Sequence, residues 1–327
     1  MLHTPICALL GIRHPICQAG MANYTTPALI AAVSAAGGLG VHGGLGRSAA
    51  EVQRLCRETR ALLPTDPFGI NHVIDRIDEA AFAASLAEGV PVICLSWGDP
   101  GPWTARAHAA GARVLMQVAR PDEVPGALAA GVDALVAQGT EGGGHSGFLP
   151  LAELLPTVLT AAGGVPVLAA GGIVDGAGLV AALARGAAGA WIGTRFLATP
   201  EAAISDAWKG AILAAGTDAT VHTAAFDQLW GHPWPGARVR AIRNDFTAAW
   251  DGQPDALAAQ HAAVQGAVWR AERDDDPRLF ALMAGTGAGQ VRTLRPAGAL
   301  VGELMAEAEA IVMRLATMIG AGSASPA

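Results

Sequence analysis

Short runs of branched apolar residues alternate along this chain with longer, alanine-rich stretches of helical length. The short runs predict strands over residues 14–18, 39–42, 67–72, 91–96, 113–118, 133–138, 166–170 and 190–193. The stretches between them predict helices, among them 26–36, 48–62, 76–87, 121–130, 151–161 and 176–185. Strict alternation implies parallel strands joined by right-handed crossovers. Eight repeats imply an α/β fold of the closed (β/α)8 TIM-barrel type rather than an open sheet. Glycine follows a helix and precedes the next strand at Gly37, Gly89, Gly111, Gly131, Gly164 and Gly186, the left-handed position at which helices commonly end. Gly89 to Gly111 and Gly111 to Gly131 span 22 and 20 residues, one compact β/α unit each. The next interval is longer, and its excess falls in the loop 139–149, on the barrel face that carries function.

The alternation stops near residue 200. Residues 201–286 read as a small helical substrate or cap domain inserted after strand eight, with 1–200 and 287–327 forming the barrel. Five of the eight tryptophans fall in the insert, at Trp208, Trp230, Trp234, Trp250 and Trp269. Filling the insert's core is the expected role of each, and roofing an active site is the alternative for one or two. Trp97, just after strand four, and Trp230 are the candidates for a pocket wall. The acidic stretch Asp274, Asp275, Asp276 before Pro277 predicts a turn back to the barrel. Residues 299–319 then predict a closing amphipathic helix, and the small, polar tail 320–327 predicts a frayed end.

Composition narrows the function classes. The net charge of −7 argues against nucleic acid or an anionic membrane as partner. No run of 18 apolar residues predicts a membrane span, and the first fifteen residues lack the apolar core of a secretory signal. Cys7, Cys17, Cys56 and Cys94 fit neither a CxxC pair nor a zinc framework; they read as reduced thiols of a cytoplasmic protein, and no metal site is expected. Lys209 is the only lysine and falls beyond the last barrel strand, which argues against Schiff-base chemistry. The oligomeric state is left open, a homodimer included.

Three motifs carry candidate chemistry. In residues 165–196, strand seven ends at Gly171 and Gly172, and strand eight ends at Gly193 and Thr194. Glycines there let backbone N–H groups approach an anion, and the loops after strands seven and eight are the usual barrel phosphate site. In AQGTEGGGHSGFLP, residues 137–150, Gln138 and Gly139 end strand six, and Gly142, Gly143 and Gly144 form a loop able to wrap a flat cofactor. His145 follows; on a glycine-rich loop it is expected to have little side-chain packing, which favours a direct role in proton transfer or anion stabilisation. In HPICQAGM, residues 14–21, Gly20 and Met21 turn over the end of strand one, and Asn71 and Gln117 place amides at equivalent heights. His72 is expected to face away from them, because neighbouring strand residues point to opposite sides. Two decoys fail. Residues 38–43 match GxGxxG, but a helix precedes them rather than a strand. Residues 144–148 miss the GxSxG elbow at Phe148.

The pieces PICQAGM (15–21), FGINHV (68–73), LMQV (115–118), AQGTEGGGHSG (137–147), AAGGI (169–173), WIGTRFLATPEA (191–202) and GAGQ (287–290) together resemble the nitronate monooxygenase family, formerly 2-nitropropane dioxygenases, and the related FMN-dependent enoyl-acyl-carrier-protein reductases II. The resemblance implies an FMN-containing barrel with the phosphate on Gly171, Gly172, Gly193 and Thr194. It implies contacts to the rest of FMN from Gly20, Met21, Asn71, Gln117, Gln138 and Gly139, and it makes His145 the active-site histidine. The family commonly has proline where Gly20 stands, which predicts a looser turn here. The implied reaction is oxidation of alkyl nitronates, or nitroalkanes, by O2 to a carbonyl compound and nitrite. The alternatives are NAD(P)H-dependent reduction of an enoyl thioester or quinone on the same cofactor, and a flavin-free barrel that binds a phosphorylated metabolite.

Overall fold

A computed structural model describes residues 2–232 and 234–321. Its barrel strands are β1 (Ile16–Gln18), β2 (Leu39–Gly43), β3 (Phe68–Val73), β4 (Val92–Ser96), β5 (Arg113–Val118) and β6 (Ala134–Gln138), then, after a short strand β7 (Gly144–Ser146) outside the barrel, β8 (Val167–Ala170) and β9 (Gly189–Ile192). All eight pair in parallel, and β9 closes onto β1, so the TIM barrel read from the alternation is the observed fold. The strand β1 is shorter than expected because the Ile16 N–H turns back onto the His14 carbonyl at 2.7 Å. The six glycines at the predicted helix ends all have positive φ. Side-chain caps start the helices Pro27–Ala35, Ala49–Leu62, Glu79–Ala87 and Gly176–Ala184, from Thr26, Ser48, Asp78 and Asp175; each satisfies an N–H that the first helical turn leaves unpaired.

The barrel's floor is a helix that the sequence reading did not place, Pro5–Leu10. Its Ile6, Cys7 and Leu10 pack with Cys17, Leu39, Cys94 and Leu115 from the strands. All four cysteines are free and buried, and burial holds the Cys17 and Cys94 thiols above their ordinary values. At the other termination, the helix Ala297–Ala321 packs on Gly176–Ala184 and on Pro27–Ala35. Of the tail 320–327 expected to fray, residues 320 and 321 belong to the helix Ala297–Ala321, and the rest lies outside the described residues.

The segment after β9 carries the helices Asp206–Ala214, Ala225–Trp230, Asp245–Trp250, Pro254–Ala259 and His261–Arg273. It also contains strands β10 (Thr220–Thr223) and β11 (Arg238–Ile242), so the purely helical expectation is corrected. These two strands and β7 form an antiparallel sheet in the order β10-β11-β7. Alternation in VHT and RVRAI is too short to stand out against alanine-rich helices on either side. Trp208, Phe226, Phe246 and Phe280 build a second hydrophobic cluster here. Trp230 and Trp250 pack against it, whereas Trp269 is exposed.

Two histidines make barrel stability sensitive to pH. His42 on β2 bonds Thr59 Oγ1 at 2.8 Å, and His72 on β3 bonds Ser85 Oγ at 2.9 Å, both fully enclosed between strands and helices. Burial, helped at His42 by the Arg47 charge, lowers the rings to about 3 and about 4. The unfolded chain therefore takes up these protons first as pH falls through ~6.5, and stability present above that value is lost toward the folded values. The expected loss is about 1.4 kcal/mol per pH unit for each ring. Thermal melts between pH 7 and 5 should show a shallower decline for His42→Gln than for the parent; equal slopes would rule out the ring as the source.

Candidate active site

The C-terminal ends of all eight barrel strands border one cavity of about 460 Å3. Met21 follows β1, Gly43 ends β2, Asn71 lies on β3, Ser96 ends β4, Gln117 lies on β5, Gln138 ends β6, Gly171 follows β8 and Gly193 follows β9; all of them line it. Asn71 donates from Nδ2 to Ser96 Oγ at 3.4 Å, and Gln117 donates from Nε2 to Gln138 Oε1 at 3.0 Å. Each amide retains further hydrogen-bonding capacity for a bound molecule. His72 points away from the cavity into the barrel wall, as the strand period requires.

Among the residues singled out from the sequence, Gly20, Met21, Asn71, Gln117, Gln138, Gly142, Gly144, His145, Gly171, Gly172, Gly193 and Thr194 converge on this cavity. Gly139 stands behind the lining: its N–H donates to the Ala170 carbonyl at 2.9 Å and its Cα faces Leu151. The turn at Gly20 is closely packed rather than loose, since a Cβ there would lie 2.7 Å from the Asn71 Cβ and 2.9 Å from the His42 oxygen. Gly171 has φ 121°, a conformation closed to side chains, and a Cβ would meet the Gly142 nitrogen at 3.1 Å. Thr194 opens the short helix Thr194–Leu197 and accepts from the Gly285 N–H at 2.8 Å through Oγ1, which ties the late segment Thr286–Gln290 to the same corner.

The loop after β6 is pinned rather than free. The Glu141 carboxylate accepts from the Leu151 N–H at 2.9 Å, and its carbonyl accepts from the Thr286 N–H at 3.0 Å. Arg240 on β11 donates to the Thr140 carbonyl; burial lowers this arginine, with the Glu141 charge opposing. The strand β7 pairs with β11 so that His145 sits opposite Val239. His145 therefore has the packing that the sequence reading denied it. Its side chain is 14% exposed, and its Nε2 lies 2.8 Å from Oδ1 of Asp227, itself 6% exposed. The Trp234 ring stacks on the imidazole, with centroids 3.8 Å apart and planes 25° from parallel. Arg76 places its guanidinium 4.6 Å from the Trp234 centroid, and Trp97 meets the same ring edge-on at 5.7 Å. Trp97 has φ 57°, left-handed for a large side chain, a strain that persists only where surrounding contacts hold it.

Asp227, Trp234, Arg76 and Tyr24 line the cavity and were not assigned to it from the sequence; Trp97 and Trp230, left as candidates, also line it. A lone aspartate or tryptophan in an alanine-rich insert carries no spacing signal, so only the fold brings them to His145. Among the described residues, no cluster of His, Cys, Asp and Glu could hold a metal ion, and no helix is long and apolar enough to cross a membrane.

This architecture has relatives. The nitronate monooxygenase family profile matches residues 3–90 and 81–307. A nitronate monooxygenase of Paraburkholderia phytofirmans is 34% identical, with 94% of this chain and 95% of that protein aligned. A (3aS,4S,5R,7aS)-5-hydroxy-7a-methyl-1-oxo-octahydro-1H-indene-4-carboxyl-CoA dehydrogenase of Mycobacterium tuberculosis is 40% identical over 70% of this chain, and the chain spans 65% of that relative's length. The structure of FabK from Thermotoga maritima superposes with a TM-score of 0.87 at 30% identity, covering 97% of this chain and all of that one. The matched barrel and the family profile lead to one conclusion: this chain belongs to the nitronate monooxygenase family.

Proposed function

We propose that the protein binds FMN in the strand-end cavity and oxidises alkyl nitronates, or the parent nitroalkanes, with O2 to a carbonyl compound and nitrite. One observation carries this reading: a single cavity is lined both by the glycine corner at Gly171, Gly172, Gly193 and Thr194 and by His145. The residues fit the cofactor. Gly171 lacks the Cβ that would crowd the corner, Gly172 and Gly193 line the same corner without side chains, and the amides of Asn71, Gln117 and Gln138 suit a polar heterocycle and its hydroxylated chain. Bound FMN would supply electron acceptance and reactivity toward O2. The chain's own residues orient the substrate and exclude water: Trp97, Trp230 and Trp234 wall the cavity beside His145. His145 takes the α-proton of a nitroalkane or stabilises the anionic nitronate.

A volume of about 460 Å3 lies toward the lower part of the ~300–1,000 Å3 typical of small-molecule sites. The second reading is NAD(P)H-dependent reduction of an enoyl thioester or a quinone on the same cofactor; the 40% identity to a protein named as a carboxyl-CoA dehydrogenase supports a thioester as the substrate class. The purified protein is expected to show flavin absorbance that bleaches on anaerobic addition of an alkyl nitronate. Bands that persist with nitronate but bleach with NADH would move the assignment to the second reading. A colourless protein that FMN does not reconstitute would leave only a flavin-free phosphate site.

A further inference from the structure

His145 and Asp227 come from different parts of the chain, 82 residues apart. The histidine is held by β7, whose register with β11 is fixed at Val239. The aspartate sits on the helix Ala225–Trp230, next to Phe226, which is fully buried and stacked on Phe246 at 4.4 Å. Both anchors are rigid, so the 2.8 Å contact between Nε2 and Oδ1 follows from the packing of the insert against the loop after β6. An ionised carboxylate only accepts hydrogen bonds, so the imidazole must donate from Nε2. The stacked Trp234 ring restrains the imidazole plane, and Asp227 selects which edge faces the insert. Plane and edge together define one ring orientation.

We propose that Asp227 is a positioning residue for His145: it fixes the neutral ring as the Nε2–H tautomer and leaves Nδ1 as the nitrogen that exchanges a proton with substrate. This rests on His145 being the active-site histidine. When a nitroalkane is the substrate, its α C–H bond breaks, the proton passes to Nδ1, and the electron pair stays on the substrate as the nitronate. The positive charge then on the ring lies against the Asp227 carboxylate, which stabilises it. A carboxylate removed from water costs several kcal/mol unless it is paired, and this pairing offsets that cost while directing the ring. Asp227 also occupies the first turn of its helix, where negative charge is mildly favourable. That structural role predicts a change in stability and none in the tautomer.

The test is long-range 1H–15N NMR of the holoenzyme labelled with 15N-histidine, at a pH where the ring is neutral. The His145 signals are identified by their loss in His145→Gln. The expected result is a proton on Nε2 in the parent, and a shift toward the Nδ1–H form in Asp227→Asn, whose amide can donate to Nε2. Flavin reduction by a nitroalkane is expected to fall on the order of 10²-fold or more in Asp227→Asn, with FMN content unchanged and partial rescue in Asp227→Glu. A parent ring protonated on Nδ1 overturns the proposal without any variant needing to fold. So does Asp227→Asn with an unchanged tautomer, or with an unchanged reduction rate. A colourless protein with the Nε2–H signal would instead sink the flavin reading, so the two failures are distinguishable.

Discussion

Replacing His145 by alanine is expected to leave FMN bound and to slow flavin reduction by a nitroalkane about 10²–10⁴-fold, the range supplied by a positioned acid or base. The imidazole lines the cavity but is not part of the glycine corner around Gly171 and Gly193, so cofactor retention and reduction rate should separate. The substrate pair sharpens the result. A nitroalkane must lose its α-proton and a preformed nitronate need not. A loss much larger with the nitroalkane assigns His145 as base; equal losses assign it to stabilising the bound anion. Alanine also leaves the Asp227 carboxylate buried without its partner, which costs about 3–5 kcal/mol in typical cases. His145→Gln, whose amide can still donate to Asp227, controls for that penalty. Stopped-flow reduction under anaerobic conditions reads both variants, and an unchanged rate in both would remove the histidine from the chemistry.

The second large effect is expected at Gly171. At φ 121° an alanine is strained whatever the space, and here its Cβ would also lie 3.1 Å from the Gly142 nitrogen. Strain of this kind costs about 1–3 kcal/mol. Relieving it by moving the backbone out of the bound geometry weakens FMN binding by roughly tenfold to a hundredfold, at ~1.4 kcal/mol per tenfold. Equilibrium titration of the apoprotein with FMN measures this directly. Gly111→Ala is the control: Gly111 has φ 83° and open space around it at a helix end far from the corner. It should lose comparable stability and keep its flavin affinity. Matching affinities in the two variants would show that Gly171 does not shape a phosphate site.

Legibility differed sharply between the barrel and the insert. The eight barrel strands were readable because each is a short apolar run, six of them preceded by a helix-ending glycine and four followed by a helix with a side-chain cap, all local signals. The glycine corner was readable for the same reason: Gly171, Gly172, Gly193 and Thr194 follow two consecutive strands. His145, singled out from its motif, lines the cavity, but its surroundings differ from the local reading. Read locally, it is a histidine after three glycines; in the fold it is the centre of an edge strand, paired and stacked. The insert's strands β10 and β11 were hidden by their length, and the helix Pro5–Leu10 by its overlap with an apolar N-terminal stretch.

The sequence by itself determined the closed parallel barrel, and it singled out strand-end residues, the glycine corner and His145 among them, that the fold gathers around one cavity. These follow from period, punctuation and order along the chain, which are properties of neighbouring residues. Only the tertiary structure decided which side chains complete the site. Asp227 and Trp234 reach His145 because β11 pairs with β7 and the Phe226–Phe246 stack seats the helix that carries the aspartate. Trp97 and Arg76 meet Trp234 from the barrel side. Contacts between residues some eighty or more positions apart leave no local trace, since their energy comes from burial and geometry that exist only once the insert has folded over the barrel's mouth.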